Sequence, residues 1–190
     1  MNIQTKTLIA SLTAGLVLAG LVTVPHGYFA FDATDHLYQW ALFISTWIYH
    51  LLIAFSVIFF AVYDIRQRDG SFLSTLSAML VIAILINVIK YTPFGHLTPR
   101  PSGYEGGFPS GHTATSFAMA FFVSLKLPRL MLPMFLVATA IGFSRLFAGS
   151  EHAAHYPYQI ISGSLFGSYL PWGIDMITQR LRAGKGASKS

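Results

Sequence analysis

Long apolar stretches alternate with short polar breaks along this chain, and their spacing predicts its architecture. A helix needs about 20 apolar residues to cross the hydrocarbon of a bilayer. Six stretches approach that length, at roughly 7–25, 39–63, 71–90, 112–127, 130–148 and 156–178. The connections between them are brief and polar, as in YDIRQRDGS (63–71) and KLPRL (126–130), which suits an antiparallel bundle with tight turns. The expected fold is therefore all-α, a polytopic membrane protein built as a six-transmembrane-helix bundle. No internal repeat divides it, so one transmembrane domain is expected over 1–190, with a flexible basic tail, GKGASKS, over 184–190. The first stretch is longer than a secretory signal core of about 7 to 15 residues, and is expected to remain as the first span.

Composition strengthens this picture. Of the 190 residues 54% are hydrophobic and only 10% charged, against about 25% charged in ordinary soluble domains. The absence of cysteine excludes disulfides and thiolate-bound metals. Charge placement then orients the bundle. Lys6, Arg66, Arg68, Lys126, Arg129, Arg180, Arg182, Lys185 and Lys189 fall on one side of a six-span layout, and the excess of Lys and Arg on cytoplasmic loops makes that side the inner one. Both termini are expected in the cytoplasm. The formal charge of +5 is thus a topology signal, and nothing beyond the tail suggests a nucleic-acid partner.

Three cations break the rule. Lys90 in INVIKYTPF, Arg100 in LTPRPSGYEGG and Arg145 in AIGFSRLFAG lie on the outer side, at or near span ends. If the bundle gathers its third, fourth and fifth spans, these residues converge near Ser110, Gly111 and His112, in FPSGHTATSF at the mouth of the fourth. Cations beside a helix N-terminus form an anion site, because free N–H groups and the positive end of the dipole add to guanidinium forks suited to phosphate. His155, in GSEHAAHYPYQIISG, is a second outer histidine. Two imidazoles beside a phosphate suggest an attacking group and a proton donor.

Together the segments TPRP, FPSGH and SR followed by HYPYQIISG resemble the three signature blocks of the type 2 phosphatidic acid phosphatase family, which shares its site with vanadium haloperoxidases and glucose-6-phosphatase. The resemblance covers 90–163 and is strongest at PSGH. It implies a phosphohistidine mechanism in which His155 attacks phosphorus and His112 protonates the leaving group. Lys90, Arg100, Ser110, Gly111 and Arg145 would hold the phosphate oxygens, with no metal and no cofactor.

Three departures from the family pattern stand out. Nine residues separate Lys90 from Arg100 where the family has six, and nine separate Arg145 from His155 where it has five, with SEHAAH carrying the extra ones. His152 is nearer the family spacing, whereas His155 has the family's following Tyr-Pro and closing Gly163. Gln159 stands where most members carry an Asp that orients the nucleophile; its amide carbonyl can accept the imidazole N–H, and Glu151 is an alternative source of charge. Of the remaining polar residues, His50 is expected to pack as a neutral hydrogen-bonded group and Asp175 to be interfacial. Trp40 and Trp172 suit the outer and inner aromatic belts, and Tyr104, Glu105 and glycines 103, 106 and 107 are either a lid or an ordinary loop.

The expected function is removal of a terminal phosphate from a lipid monophosphate or diphosphate, with undecaprenyl diphosphate, phosphatidylglycerol phosphate, phosphatidic acid and lipid A phosphate as candidates. The partners are that substrate and the lipid bilayer, in a cytoplasmic (inner) membrane with the site on the periplasmic face. The alternatives are transfer of the phosphoryl group to a second lipid and a non-catalytic protein that only binds lipid phosphate. The sequence implies no particular oligomeric state.

Overall fold

The structure, a computed structural model, describes residues 1–23, 36–67, 71–92, 99–101, 103, 105–147 and 155–187. Helix α1 is Ile3–Thr23, α2 is His36–Phe43, α3 is Tyr49–Gln67, α4 is Ser71–Tyr91, α5 is Gly111–Lys126, α6 is Met131–Ser144 and α7 is Pro157–Ala187. A π turn, Ile44–Ile48, joins α2 to α3 without a break, and a short 3₁₀ turn, Pro128–Leu130, precedes α6. No strand occurs among the described residues. Turn chemistry sets several boundaries. Pro128 opens the 3₁₀ turn and Pro157 opens α7, positions where a missing N–H costs nothing.

Each of the six expected stretches is helical, with shifted ends. Helix α1 starts four residues before the apolar run at 7, since Asn2 caps it by accepting from Thr5 N at 2.9 Å. The second span is longer than expected, His36–Gln67, and with α1 is apolar and long enough to cross a bilayer. The tail expected at 184–190 is helical as far as Ala187, because α7 continues through it; 188–190 lie outside the described residues.

Helix α5 is the axis of the molecule, packed against α7, α6, α1, α3 and α4. Its residues from Ser116 to Ser124 are all buried, as are Thr113 and Ala114. Close approach of α7 to α5 depends on Gly163 and Gly167, one turn apart. A Cβ at 163 would lie 2.7 Å from the Ser110 carbonyl oxygen, and one at 167 would lie 2.7 Å from Phe117 Cβ and press on the Ala114 carbonyl. This is the small-xxx-small packing by which membrane helices gain contact area without a hydrophobic driving force. Helix α1 closes the other side, with Ser11 and Ser168 hydroxyls 2.6 Å apart. By contrast α3 buries only Leu52, Ser56 and Phe60. Trp40, Trp47, Leu51, Ile58, Leu80, Leu132 and Leu136 are each at least 60% exposed, an apolar exterior that suits lipid and not water. Trp172 is half-buried against the core.

Candidate active site

The PSGH corner stands where α5 begins. Ser110 is the N-cap in extended conformation, but its hydroxyl does not cap the helix; it accepts from Thr113 Oγ1 at 3.0 Å. Its amide donates to the Gln159 carbonyl at 2.8 Å, which pins the corner to the first turn of α7. The N–H groups of a helix's first turn have no partner within the helix, so Gly111 and His112 open α5 with donors to offer. Lys90 closes α4 beside them. A Cβ at Gly111 would lie 3.3 Å from Lys90 Nζ, so the longer spacing to Arg100 does not take the ammonium away from the corner. Gly103 and Gly106 have φ of 84° and 71°, a left-handed backbone that glycine adopts freely. Gly106 and Gly107 are buried, and a Cβ at 106 would lie 3.9 Å from Lys90 Cβ. This part of the expected lid packs down on Lys90; Tyr104 lies outside the described residues.

Arg145 is the C-cap of α6 and is buried. Its carbonyl accepts from the His155 amide at 2.9 Å, so the longer connection still returns His155 to Arg145. Gln159, fully buried, makes four side-chain hydrogen bonds among the described residues, one of them from Nε2 to the Tyr158 hydroxyl at 3.3 Å. Its Oε1 lies 3.2 Å from His155 Nδ1 and accepts from Tyr156 N at 3.1 Å, while Nε2 donates to the Pro99 carbonyl at 3.0 Å. The amide thus joins His155 to the loop that carries Arg100, which a carboxylate lacking the N–H could not do. With Nδ1–H donated to Gln159, the lone pair of His155 is left on Nε2. Glu151 and His152, the alternatives, lie outside the described residues.

Electrostatics select the neutral ring. Burial, then Arg145, Arg100 and Lys90, push the His155 pKa well below the usual 6.5, and the Gln159 bond only partly opposes them. Burial likewise lowers Arg100, with Tyr91 opposing. Arg100 Nε is buried without a hydrogen-bond partner among the described residues, and the three cations act on one another as well as on His155. Buried polar donors are rarely left unmatched, and mutually repelling charges are relieved by an opposite one. The cradle therefore fits an anion. Among the described residues no three His, Asp or Glu side chains gather as metal ligands.

His112 meets a residue to which no sequence motif points. Its ring centroid lies 4.2 Å from that of Tyr49, tilted by 39°, and Tyr49 lies beside the Thr115 side chain and within the field of Arg145. The residue after Tyr49, His50, bonds the Thr46 carbonyl one turn back through Nδ1, but it is exposed and not packed as expected. Asp175 accepts from Gln179 Nε2 at 2.8 Å near the other end of α7.

Residues 72–182 match the family model described as PAP2 superfamily. A lipid A 4'-phosphatase of Bacteroides thetaiotaomicron is 33% identical over 96 residues, 48% of this chain and 41% of that protein, so the match spans less than half the length of that relative. The fold is that of the first transmembrane PAP2 type phosphatidylglycerolphosphate phosphatase from Bacillus subtilis, with a TM-score of 0.56, 19% identity and coverage of 92% of this chain and 96% of that one.

Proposed function

The chain belongs to the PAP2 superfamily, a membrane phosphatase family, and on that premise we propose that it is a metal-independent hydrolase removing a terminal phosphate from a lipid monophosphate or diphosphate. The single observation that carries the reading is the meeting of Lys90, Arg100, Arg145, His112 and a neutral His155 at one end of the bundle. Phosphoryl transfer needs in-line positioning and charge stabilisation above all. The guanidinium and ammonium groups supply that charge, with Ser110 and the Gly111 amide completing the oxygen contacts.

His155 Nε2 attacks phosphorus, forming the N–P bond as the P–O bond to the lipid breaks. The electron pair leaves on the lipid oxygen, which takes a proton from His112. Water then attacks the phosphohistidine, gives its proton to His112, and the N–P bond breaks to release phosphate and restore both rings. Gln159 holds the nucleophile's Nδ1–H throughout. The one domain crosses a cytoplasmic membrane six times, once for each helical run, with both termini inside and the site on the outer face. The charge asymmetry of the loops supports that orientation. The substrate's hydrocarbon tail then stays in lipid while its head group reaches the cradle.

Phosphate release in detergent from phosphatidate, phosphatidylglycerol phosphate, undecaprenyl diphosphate and a lipid A phosphate, with His155→Ala as the blank, tests this. Release from at least one substrate, lost in the variant, is expected. No release from any substrate, with binding retained, would leave a lipid-phosphate-binding protein, and release only when a second lipid is present would make it a phosphotransferase.

A further inference from the structure

Tyr49 lies far from every signature block, at the start of α3, yet its ring covers that of His112. Two features put it there. First, the π turn Ile44–Ile48 is closed by the Tyr49 amide itself, which reaches back five residues to the Ile44 carbonyl. A π turn holds one residue more than an α turn, so it rotates the helix beyond it by about 100°. Trp47, within the turn, is 63% exposed, while Tyr49 turns inward. Second, the Tyr49 side chain lies beside that of Thr115, three residues after His112 and so on the same face of α5. The tyrosine therefore lies along the first turn of α5, with its ring against the imidazole. Arg145 acts electrostatically on both Tyr49 and His112, which locates the stacked pair at the edge of the cradle.

We infer that Tyr49 is a positioning residue that holds the His112 imidazole toward the leaving oxygen. The inference rests on the acid role proposed above for His112. Proton donation is sensitive to small displacements of the ring, since a general acid works only within hydrogen-bond reach. The backbone of His112 is tied into α5, where its carbonyl accepts from Ser116 Oγ at 2.8 Å, but that tie leaves the side chain free to turn. The stacked ring is the element that restricts it. Ring against ring does this better than an aliphatic side chain, because offset aromatic pairs have a preferred geometry.

The test uses the full chain in detergent and two substrates, the lipid phosphomonoester of the panel that turns over fastest and para-nitrophenyl phosphate, whose leaving group needs little protonation. Tyr49→Leu is expected to lower kcat on the lipid about 10-fold or more and on the aryl ester by less than about 3-fold, within the range that general acids contribute. Tyr49→Phe keeps the ring and is expected to retain most of the lipid activity. Equal losses on both substrates, or none on either, would overturn the inference. His112→Ala run beside them separates the two possible failures. If it discriminates between substrates and Tyr49→Leu does not, only the positioning role falls; if it fails to discriminate, the acid role falls and the inference with it.

Discussion

The helices that meet at the phosphate cradle are held in two different ways. Helices α5 and α7 approach backbone to backbone through Gly163 and Gly167, and between them they carry Ser110, His112 and Gln159, with His155 two residues ahead of α7. Helices α3 and α4 bury narrow strips, Leu52, Ser56 and Phe60 on one and Ala78, Ile82 and Ile86 on the other, and reach the cradle through residues at their ends, Tyr49 and Lys90 among them. The difference teaches where accuracy is needed. The proposed nucleophile and the corner proposed to bind oxygens must hold sub-ångström relations, and dense packing fixes them. A point charge on a flexible stem tolerates a looser mount.

Substitutions in the packed half should therefore cost more. Arg145→Lys keeps the charge but loses the fork, and it is expected to lower phosphate release about 100-fold. Next in size, Gln159→Leu removes the acceptor for His155 Nδ1 and the donor to the Pro99 carbonyl at once; a fall of about 10- to 100-fold in kcat is expected. Lys90→Gln, in the loosely held half, should cost roughly 10-fold, chiefly in KM, as a single point charge is lost. It also moves the pH profile. Lys90 is one of the cations that hold the His155 pKa below 6.5, so its removal makes the imidazolium easier to form. The acidic limb of kcat/KM should shift to higher pH, and Arg145→Lys, which keeps the charge, should leave that limb nearly in place.

Packing alone separates the last pair. Gly163→Ala drives a Cβ into the Ser110 carbonyl and should lower unfolding stability by about 1–3 kcal/mol, the usual range for overpacking, read as a drop in the detergent melting midpoint. Gly173, on the same helix, has nothing within 4 Å of an added Cβ, and Gly173→Ala should leave both stability and activity unchanged. Equal responses of the two would show that close backbone approach at Gly163 is not what holds α7 to α5.

Much of this molecule was legible in its sequence because membrane helices announce themselves by apolar length, and because Lys90, Arg100 and Arg145 stood out as cations on the disfavoured side. Helix ends were less legible. Asn2 extended α1 through a side-chain cap, and α7 ran through a Gly- and Lys-rich segment whose composition suggested a tail. The spacing from Lys90 to Arg100 was uninformative, since a count of residues does not say how the loop that carries Gly106 folds back toward the lysine. Tyr49 was beyond reach altogether. Its proximity to His112 depends on a π turn and on packing between helices distant in sequence, and neither leaves a pattern in WIYHLL.

The central claim is that His155 carries the phosphoryl group, and rapid acid-free quenching of wild-type protein with a ³²P-labelled lipid phosphate tests it most directly. Label is expected on the protein within the first turnover, stable to base and labile to acid, and absent from His155→Ala. Label of the same kind retained in His155→Ala, or turnover that survives the substitution, would contradict it.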